Sequence, residues 1–337
     1  MKVTLLVGDG IGKEITESVK EIFKSAGADI QWEELTAGID VVDEYGTPMP
    51  DHVIESIKRN KIALKAPLGT PIGGGFRSVN VELRKRLKLY ANVRPVISLD
   101  GVDSPLKDGT NIDMVIVREN TEGLYSGIEH YIGDPDNPTA AETIKVITKE
   151  ASEKISEFAF NLASKREKKN VTISHKANIQ KFTDGLFLKT AREVSSKYPT
   201  VSHDDLIIDN MMMQLVNRPK TFDVIVAPNF YGDILSDLCA SFVGGLGVAA
   251  GANIGEEYAV FEAVHGTAPD IAGQNKANPT ALLLSAIMML RHIGQEEVAN
   301  KIENSLKKTL SEGKSLTGDL GGTSGTTDFT QAIIENL

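Results

Sequence analysis

The stretch FDVIVAPNFYGDILSD, residues 222–237, carries both a fold signal and a candidate site. Its opening run of Val and Ile is typical of a buried parallel strand. A loop containing Pro, Asn and Gly follows, and we expect a helix to begin at Asp233. Asp233 and Asp237 are four residues apart, so both would lie on one face of that helix. The stretch therefore predicts a strand–loop–helix unit that presents two carboxylates.

These two carboxylates allow two interpretations. A hard cation such as Mg²⁺ or Mn²⁺ prefers oxygen ligands, and it would relieve a repulsion of roughly 0.2–0.5 kcal/mol between the pair. Alternatively, Asp233 caps the helix and Asp237 complements the helix dipole. Taken alone, the pair favours the second interpretation, so residues elsewhere in the chain must decide.

Strands and helices alternate along the rest of the chain. Strand candidates are residues 5–7, 62–66, 114–117, 171–174, 223–227 and 259–264. Amphipathic helices are expected near residues 152–166, 183–198, 278–293 and 296–312. This alternation predicts an α/β protein with a mostly parallel sheet, from which the Gly- and Pro-containing residues 123–138 would project.

Length, charge and cysteine content narrow the class of protein. A chain of 337 residues predicts about two domains. Its 36 Lys and Arg against 46 Asp and Glu give a formal charge of −10, which argues against the basic face that nucleic-acid binding needs. The single cysteine, Cys239, fits a reducing compartment, and no apolar run reaches the ~20 residues of a membrane span. We therefore expect a soluble, cytoplasmic protein with no nucleic-acid or membrane partner.

One glycine-rich segment imitates a nucleotide-binding motif. Residues 8–12, GDGIG, follow the first predicted strand as a dinucleotide-binding turn would. The fingerprint Gly-x-Gly-x-x-Gly needs its third glycine at position 13, which is Lys13 here. A nucleotide would therefore bind elsewhere.

Polar side chains collect where predicted strands end, the edge at which α/β proteins bind ligands. Each of them alone is explained as a surface charge or a packing residue. Together they fit a site for a polycarboxylate and a metal, because arginine binds carboxylates with two parallel hydrogen bonds. The set comprises Arg84, Arg94, Arg118, Tyr125, Lys176 and Asp233.

Six segments in order resemble the β-decarboxylating dehydrogenases, the family of isocitrate, isopropylmalate, homoisocitrate and tartrate/malate enzymes. The segments are GGGFRSVNVELR (73–84), YANVRP (90–95), RENTEGLY (118–125), HKANI (175–179), NFYGDILSD (229–237) and HGTAPDIAG (265–273). The similarity runs from Val7 to the C-terminus.

The resemblance implies an isocitrate/isopropylmalate dehydrogenase-like fold of two α/β domains with a cleft between them. Residues 1–90 and 245–337 would form the large domain, and residues 91–122 and 151–244 the small one. Residues 123–150 would form an arm that clasps a second subunit.

The same resemblance indicates the substrate. Ser78 and Asn80 resemble the isocitrate type, in which they bind the γ-carboxylate, while Arg84, Arg94 and Arg118 hold the carboxylates. We therefore expect NAD-dependent isocitrate dehydrogenase activity, giving 2-oxoglutarate and CO₂. Homoisocitrate is one methylene longer, a difference of only ~1–3 kcal/mol, so homoisocitrate dehydrogenase is an alternative. A non-catalytic regulatory subunit is another, although it should have lost part of the catalytic set.

The coenzyme also follows from the resemblance, which places the adenosine ribose near Asp270 and Ile271. A carboxylate accepts a hydrogen bond from a 2′-hydroxyl and repels a 2′-phosphate, so NAD is expected rather than NADP. The residues expected to line the adenosine pocket are His265, Gly266, Asn278 and Asp319.

In the family, the metal and the catalytic groups come from two subunits. The resemblance makes Asp209, Asp233 and Asp237 the ligands of Mg²⁺ or Mn²⁺. Lys176, with Asp209, would remove the proton of the substrate hydroxyl, and Tyr125 would protonate the product carbon. Lys176 and Asp209 would come from the neighbouring subunit, which implies a homodimer or larger assembly.

Overall fold

The computed structural model of the chain describes residues 1–69, 78–106 and 110–337. Residues 73–77 of the first family motif lie outside this described part. The chain divides into two compact units. The first comprises Met1–Lys88, Ile97–Asp108 and Ala240–Leu337, and the second comprises Leu89–Val96 and Gly109–Cys239.

Twelve strands and eleven α-helices form in the described residues. The strands are β1 (Lys2–Leu6), β2 (Gln31–Leu35), β3 (Ile62–Lys65), β4 (Ala91–Ile97), β5 (Asp113–Glu119), β6 (Glu129–Asp134), β7 (Asn137–Thr143), β8 (Asn170–His175), β9 (Ser202–Ile207), β10 (Val224–Ala227), β11 (Ala250–Ile254) and β12 (Ala259–Ala263). The helices are α1 (Gly12–Ala26), α2 (Val42–Tyr45), α3 (Asp51–Asn60), α4 (Val79–Arg86), α5 (Lys149–Ser164), α6 (Thr183–Ser195), α7 (Ile208–Asn217), α8 (Asn229–Ser241), α9 (Thr280–His292), α10 (Glu296–Glu312) and α11 (Thr326–Glu335).

The strands of the first unit follow the order β2-β1-β3-β12-β11. Neighbours are parallel except β11, which runs antiparallel to β12. All residues of β3 and β12 are buried, as expected for strands covered on both faces. Helix α1 buries the apolar stripe Ile15, Val19 and Ile22, and Gly27 caps its C-terminus with a φ of 81° that suits glycine.

The strands of the second unit follow the order β4-β5-β10-β8-β9. Strand β10 is parallel to both of its neighbours, with Val224 opposite Val115 of β5 and Val171 of β8. All four residues of β10 are fully buried, as the Val and Ile run predicts. The α/β fold class predicted from the sequence is confirmed.

Helix α8 begins at Asn229, so our expectation that it begins at Asp233 is wrong. The N–H of Gly232 donates to the carbonyl of Pro228 at 2.9 Å, which closes the first turn. Proline suits this position because the first turn needs no N–H from it and its φ is already near the helical value. Asp233 therefore lies in the second turn and cannot cap the helix, which excludes the capping interpretation.

The residues predicted to project from the core do form a separate element. Strands β6 and β7 pair antiparallel, and every residue of both strands is exposed. A bridge between Gly123 and Val146 closes the base of this hairpin. That it clasps a second subunit stays a prediction. Among the helices in the described part of the chain, none is long and apolar enough to cross a membrane.

Candidate active site

Two of the predicted residues, Arg118 and Tyr125, meet at the carboxylate of a third, Asp233, on α8. The guanidinium of Arg118, near the end of β5, donates to Oδ1, and the hydroxyl of Tyr125 donates to Oδ2. Gly232 allows this approach, because a Cβ at that position would lie 2.6 Å from Cβ of Arg118. Only glycine therefore lets α8 pack this closely against β5.

Asp237, one turn further along α8, shares this environment. Burial and the charge of Asp233 raise the pKa of Asp237, while the charges of Arg94 and Arg118 lower it. Arg94 is itself buried, and its Nε donates to Oδ1 of Asn92 at 2.8 Å. Two carboxylates that repel each other where they are still open to solvent are a donor set that fits a divalent cation.

Tyr125 is held with its hydroxyl proton in place. Burial, followed by the hydrogen bond and charge of Asp233, raises the pKa of Tyr125. The residue lies in a single 3₁₀ turn, Leu124–Ser126, which the chain enters through Gly123. The Tyr125 hydroxyl therefore keeps its proton at neutral pH and donates it in a hydrogen bond to Asp233.

Lys176 and Asp209 form a second pair in the same unit. Nζ of Lys176, just after β8, lies 2.6 Å from Oδ1 of Asp209, the second residue of α7. The hydrogen bond from Lys176 lowers the pKa of Asp209. Residues 1–69, 78–106 and 110–337 contain no group of three or more His, Cys, Asp or Glu that could hold a metal. Asp209 therefore does not join Asp233 and Asp237 within one chain.

The three predicted substrate residues of the first unit lie at helix α4. Ser78 is exposed just before the helix, and Asn80 and Arg84 are one turn apart within it. Nη2 of Arg84 lies 3.2 Å from Oε1 of Glu262. Oδ1 of Asn80 and Nε of Arg84 are buried without a hydrogen-bond partner among the described residues. An acceptor and a donor on one helix face fit a ligand with hydroxyl and carboxylate groups.

A cavity of about 550 Å³ lies in the first unit, a size ordinary for a small-molecule site. Five of the six predicted coenzyme residues line this cavity, namely His265, Gly266, Ile271, Asn278 and Asp319. The sixth, Asp270, is exposed beside Ile271 and is not among the lining residues. Segments from the β12–α9 connection and from the chain near Asp319 therefore form its walls.

His265 and Asp319 place acceptors in this cavity. Burial lowers the pKa of His265, so the ring is neutral, and we assign its proton to Nδ1, 3.0 Å from the carbonyl of Gly266. Nε2 is then a buried acceptor with no partner in the described part of the chain. Asp319 is fixed by Asn278 at 2.9 Å and by Thr317 at 2.6 Å. These acceptors fit the hydroxyl and amino groups of an adenosine.

Sequence reasoning missed several residues that build the cavity. Ile11 and Lys276 line it. The N–H of Ile11 donates to the carbonyl of Thr267 at 3.0 Å, and a Cβ at Gly10 would lie 2.0 Å from that same oxygen. The glycine-rich loop that we set aside therefore supports the cavity wall. Its departure from the dinucleotide fingerprint hid this role.

A buried ion pair beneath Lys176 was also missed. The carboxylate of Asp184, in the first turn of α6, is fully buried and contacts the ammonium of Lys145. The other oxygen of Asp184 accepts the backbone N–H of Lys176 at 2.7 Å. Because Lys145 is 39 residues from Asp184 along the chain, no local pattern could pair them.

Comparison with known proteins is consistent with this geometry. The sequence model of the family described as isocitrate/isopropylmalate dehydrogenase matches residues 2–333. The chain belongs to this family, as the resemblance indicated. It is 53% identical over 339 residues to a mitochondrial regulatory subunit of NAD isocitrate dehydrogenase from Dictyostelium discoideum, covering 100% of this chain and 92% of the relative.

Two further relatives extend the comparison. The chain is 51% identical over 335 residues to the mitochondrial catalytic subunit 5 of NAD isocitrate dehydrogenase from Arabidopsis thaliana, covering 99% of this chain and 88% of the relative. The crystal structure of isocitrate dehydrogenase from Methylococcus capsulatus is 49% identical with a TM-score of 0.95, covering 99% of this chain and 98% of that one.

One expectation is overturned by these names. We predicted a cytoplasmic protein from the single cysteine and from the lack of an apolar run long enough to span a membrane. The Dictyostelium and Arabidopsis relatives are both named as mitochondrial, which contradicts that location. The prediction fails physically because a mitochondrial interior also keeps thiols reduced, so cysteine content does not separate the two compartments.

Proposed function

We propose that the protein catalyses the metal-dependent oxidative decarboxylation of isocitrate to 2-oxoglutarate and CO₂, with reduction of NAD. The observation that carries this proposal is the convergence of Arg118 and Tyr125 on Asp233, one turn from Asp237 on α8. The guanidinium of Arg118 suits a substrate carboxylate, the hydroxyl of Tyr125 suits proton donation, and the two aspartates suit a metal that the substrate also binds. The names of the relatives support the same substrate and coenzyme.

Each side chain of the site has a role in this proposal. Arg84, Arg94 and Arg118 bind substrate carboxylates, and Ser78 and Asn80 bind the one that distinguishes isocitrate. Lys176, hydrogen-bonded to Asp209, accepts the hydroxyl proton, and Tyr125 delivers a proton to the carbon that loses CO₂.

Two bound groups complete the chemistry. Asp209, Asp233 and Asp237 would hold Mg²⁺ or Mn²⁺, which would supply Lewis-acid stabilisation of negative charge on the substrate. NAD supplies the hydride acceptor. His265, Gly266, Asp270, Ile271, Asn278 and Asp319 would hold its adenosine.

We further propose that Lys176 and Asp209 serve the site of a second subunit. Two observations support this. The side chain of Asp209 is 69% exposed, and apolar residues that follow Lys176 and Asp209 in the sequence are exposed as well. Along the chain, Phe182 follows Lys176 by six residues and Met213 follows Asp209 by four, and their side chains are 92% and 51% exposed. This apolar surface is of the kind that a subunit interface buries. A second copy of this chain would cover them, with the β6–β7 hairpin as the clasp.

Steady-state kinetics test the reaction. The purified chain is assayed with isocitrate, homoisocitrate and isopropylmalate, each with NAD and with NADP in the presence of Mg²⁺. We expect the highest kcat/KM with isocitrate and NAD, and loss of activity when EDTA removes the metal. A higher kcat/KM with homoisocitrate would contradict the proposal and identify a homoisocitrate dehydrogenase instead.

A second candidate is a regulatory subunit of a hetero-oligomer, which the name of the Dictyostelium relative favours. Against it, the proposed catalytic and metal residues are all present, namely Tyr125, Lys176, Asp209, Asp233 and Asp237. A regulatory chain would show no turnover by itself with any of the three substrates, which separates the two candidates in the same assay.

A further inference from the structure

A buried amide links the guanidinium of Arg118 to the backbone of the turn that precedes Tyr125. Asn229, the first residue of α8, is 1% exposed. Its Oδ1 accepts hydrogen bonds from Nε of Arg118 at 3.0 Å and from Nη2 at 2.7 Å. Its Nδ2 donates to the backbone carbonyl of Glu122 at 3.1 Å. These partners fix the orientation of the amide, because only its oxygen can accept and only its nitrogen can donate.

The carbonyl that Asn229 binds belongs to a well-anchored turn. The carboxylate of Glu119 accepts two backbone N–H groups of this turn, at 2.7 and 3.0 Å. The carboxylate of Glu122 accepts the N–H and the hydroxyl of Thr148, both at 2.8 Å. Tyr125 follows three residues after Glu122. Asn229 therefore connects Arg118 to the segment that carries Tyr125.

The chemical identity of the side chain at position 229 matters because Arg118 already contacts Asp233. A second carboxylate at position 229 would offset more of the charge of Arg118. It would also turn an oxygen toward the carbonyl of Glu122, where the amide now donates. A neutral amide holds the guanidinium through Nε and Nη2 without offsetting its charge.

We propose that Asn229 is a positioning residue that aligns Arg118 with the Tyr125 turn and leaves the charge of Arg118 for a substrate carboxylate. The proposal rests on the proposed function, in which Arg118 binds such a carboxylate. Asn229 itself does not contact the reacting atoms; it acts through Arg118.

Two substitutions separate charge from position. Asn229→Asp keeps the shape and adds a charge, and we expect it to raise the KM for isocitrate by about tenfold or more, with a smaller change in kcat. Asn229→Ala removes the alignment, and we expect it to lower kcat as well. The matched control is Asn300→Asp. The side-chain oxygen of Asn300 also accepts a hydrogen bond from an arginine, Arg291, at 2.9 Å, but this pair lies on the surface of the first unit. The control should have wild-type kinetics.

A role in stability alone predicts a different pattern. Asn229→Asp and Asn229→Ala would then lower Tm and the active fraction with an unchanged KM, and that result would overturn the proposal. A tenfold KM change in Asn300→Asp would overturn it too, because the effect would not be specific to Arg118.

Chemical labelling decides the question without any substrate. Phenylglyoxal modifies accessible arginines, and peptide mapping gives the rate at Arg118. We expect about tenfold faster labelling in Asn229→Ala, because Nε and Nη2 of Arg118 lose their acceptor, and an unchanged rate in Asn229→Asp, where a carboxylate oxygen still accepts from both. Equal rates in wild type and Asn229→Ala would refute the positioning role. Failure of the wild type to turn over isocitrate would refute the proposed function instead, while labelling still tests Asn229.

Discussion

Lys176 is the residue whose proposed role is most sharply defined by its contacts. Its Nζ bonds to Asp209, and its backbone N–H bonds to the buried carboxylate of Asp184. These two contacts fix the position of Lys176, which supports its proposed role in proton transfer. In the proposed function, arginines bind the substrate carboxylates and Lys176 transfers the proton. Substrate binding and proton transfer therefore depend on different side chains.

Lys176→Met should therefore separate turnover from substrate binding. We expect kcat to fall by about 10²–10⁴-fold, the range for removing a general base. The dissociation constant of isocitrate, measured by calorimetry with Mg²⁺, should stay near the wild-type value. The matched control is Lys189→Met, because Lys189 is 76% exposed and 3.8 Å from its partner Glu193. Near-normal activity in Lys176→Met would refute its catalytic role.

At the scale of elements, Glu122 follows β5 and its carboxyl group binds Thr148, the residue before α5. This carboxyl group has a strongly shifted pKa. Burial raises the pKa of Glu122 to about 7 from the ordinary value of 4.5, although Thr148 donates two hydrogen bonds that lower it. Below pH 4.5 the group is protonated in both the folded and unfolded states. Between pH 4.5 and 7 the folded protein keeps a proton that the unfolded chain has released, so stability falls as the pH rises through this window.

Glu122→Gln should remove this contribution to the pH dependence. We expect the variant to be more stable than wild type at pH 8, by about 1 kcal/mol for a partly solvated group, and to show a smaller advantage or none at about pH 4.5. Urea denaturation at both pH values measures the difference. Glu150→Gln, which changes an 80% exposed carboxylate in the first turn of α5, is the control. An identical pH dependence in wild type and Glu122→Gln would contradict the assignment.

The elements differ in how far the sequence could predict them. The buried strands were predictable because a Val and Ile run such as 224–226 is a local signal. The start of α8 was not, because Pro228 and Asn229 favour a turn unless a helix packs there. Asn229 and Asp184 escaped notice because buried polar residues are recognised by their distant partners, which only the fold supplies.

At the scale of the whole molecule, the candidate site is distributed over separate groups of residues. Asn80 and Arg84 belong to the first unit, while Arg118, Tyr125 and Asp233 belong to the second. Lys176 and Asp209 form their own pair. The family motifs identified most of these residues, but the contact between subunits that would unite them is not encoded in any single segment. An assembly of at least two chains follows from the proposal.

Subunit complementation tests this central claim most directly. Tyr125→Phe and Lys176→Met each inactivate every site in a homodimer. If the two residues of one site come from different subunits, a mixed dimer contains one intact site and one that lacks both groups. Random pairing of equal amounts should then restore about one quarter of wild-type activity with isocitrate and NAD. A co-expressed mixture no more active than either variant alone would contradict a site shared between subunits.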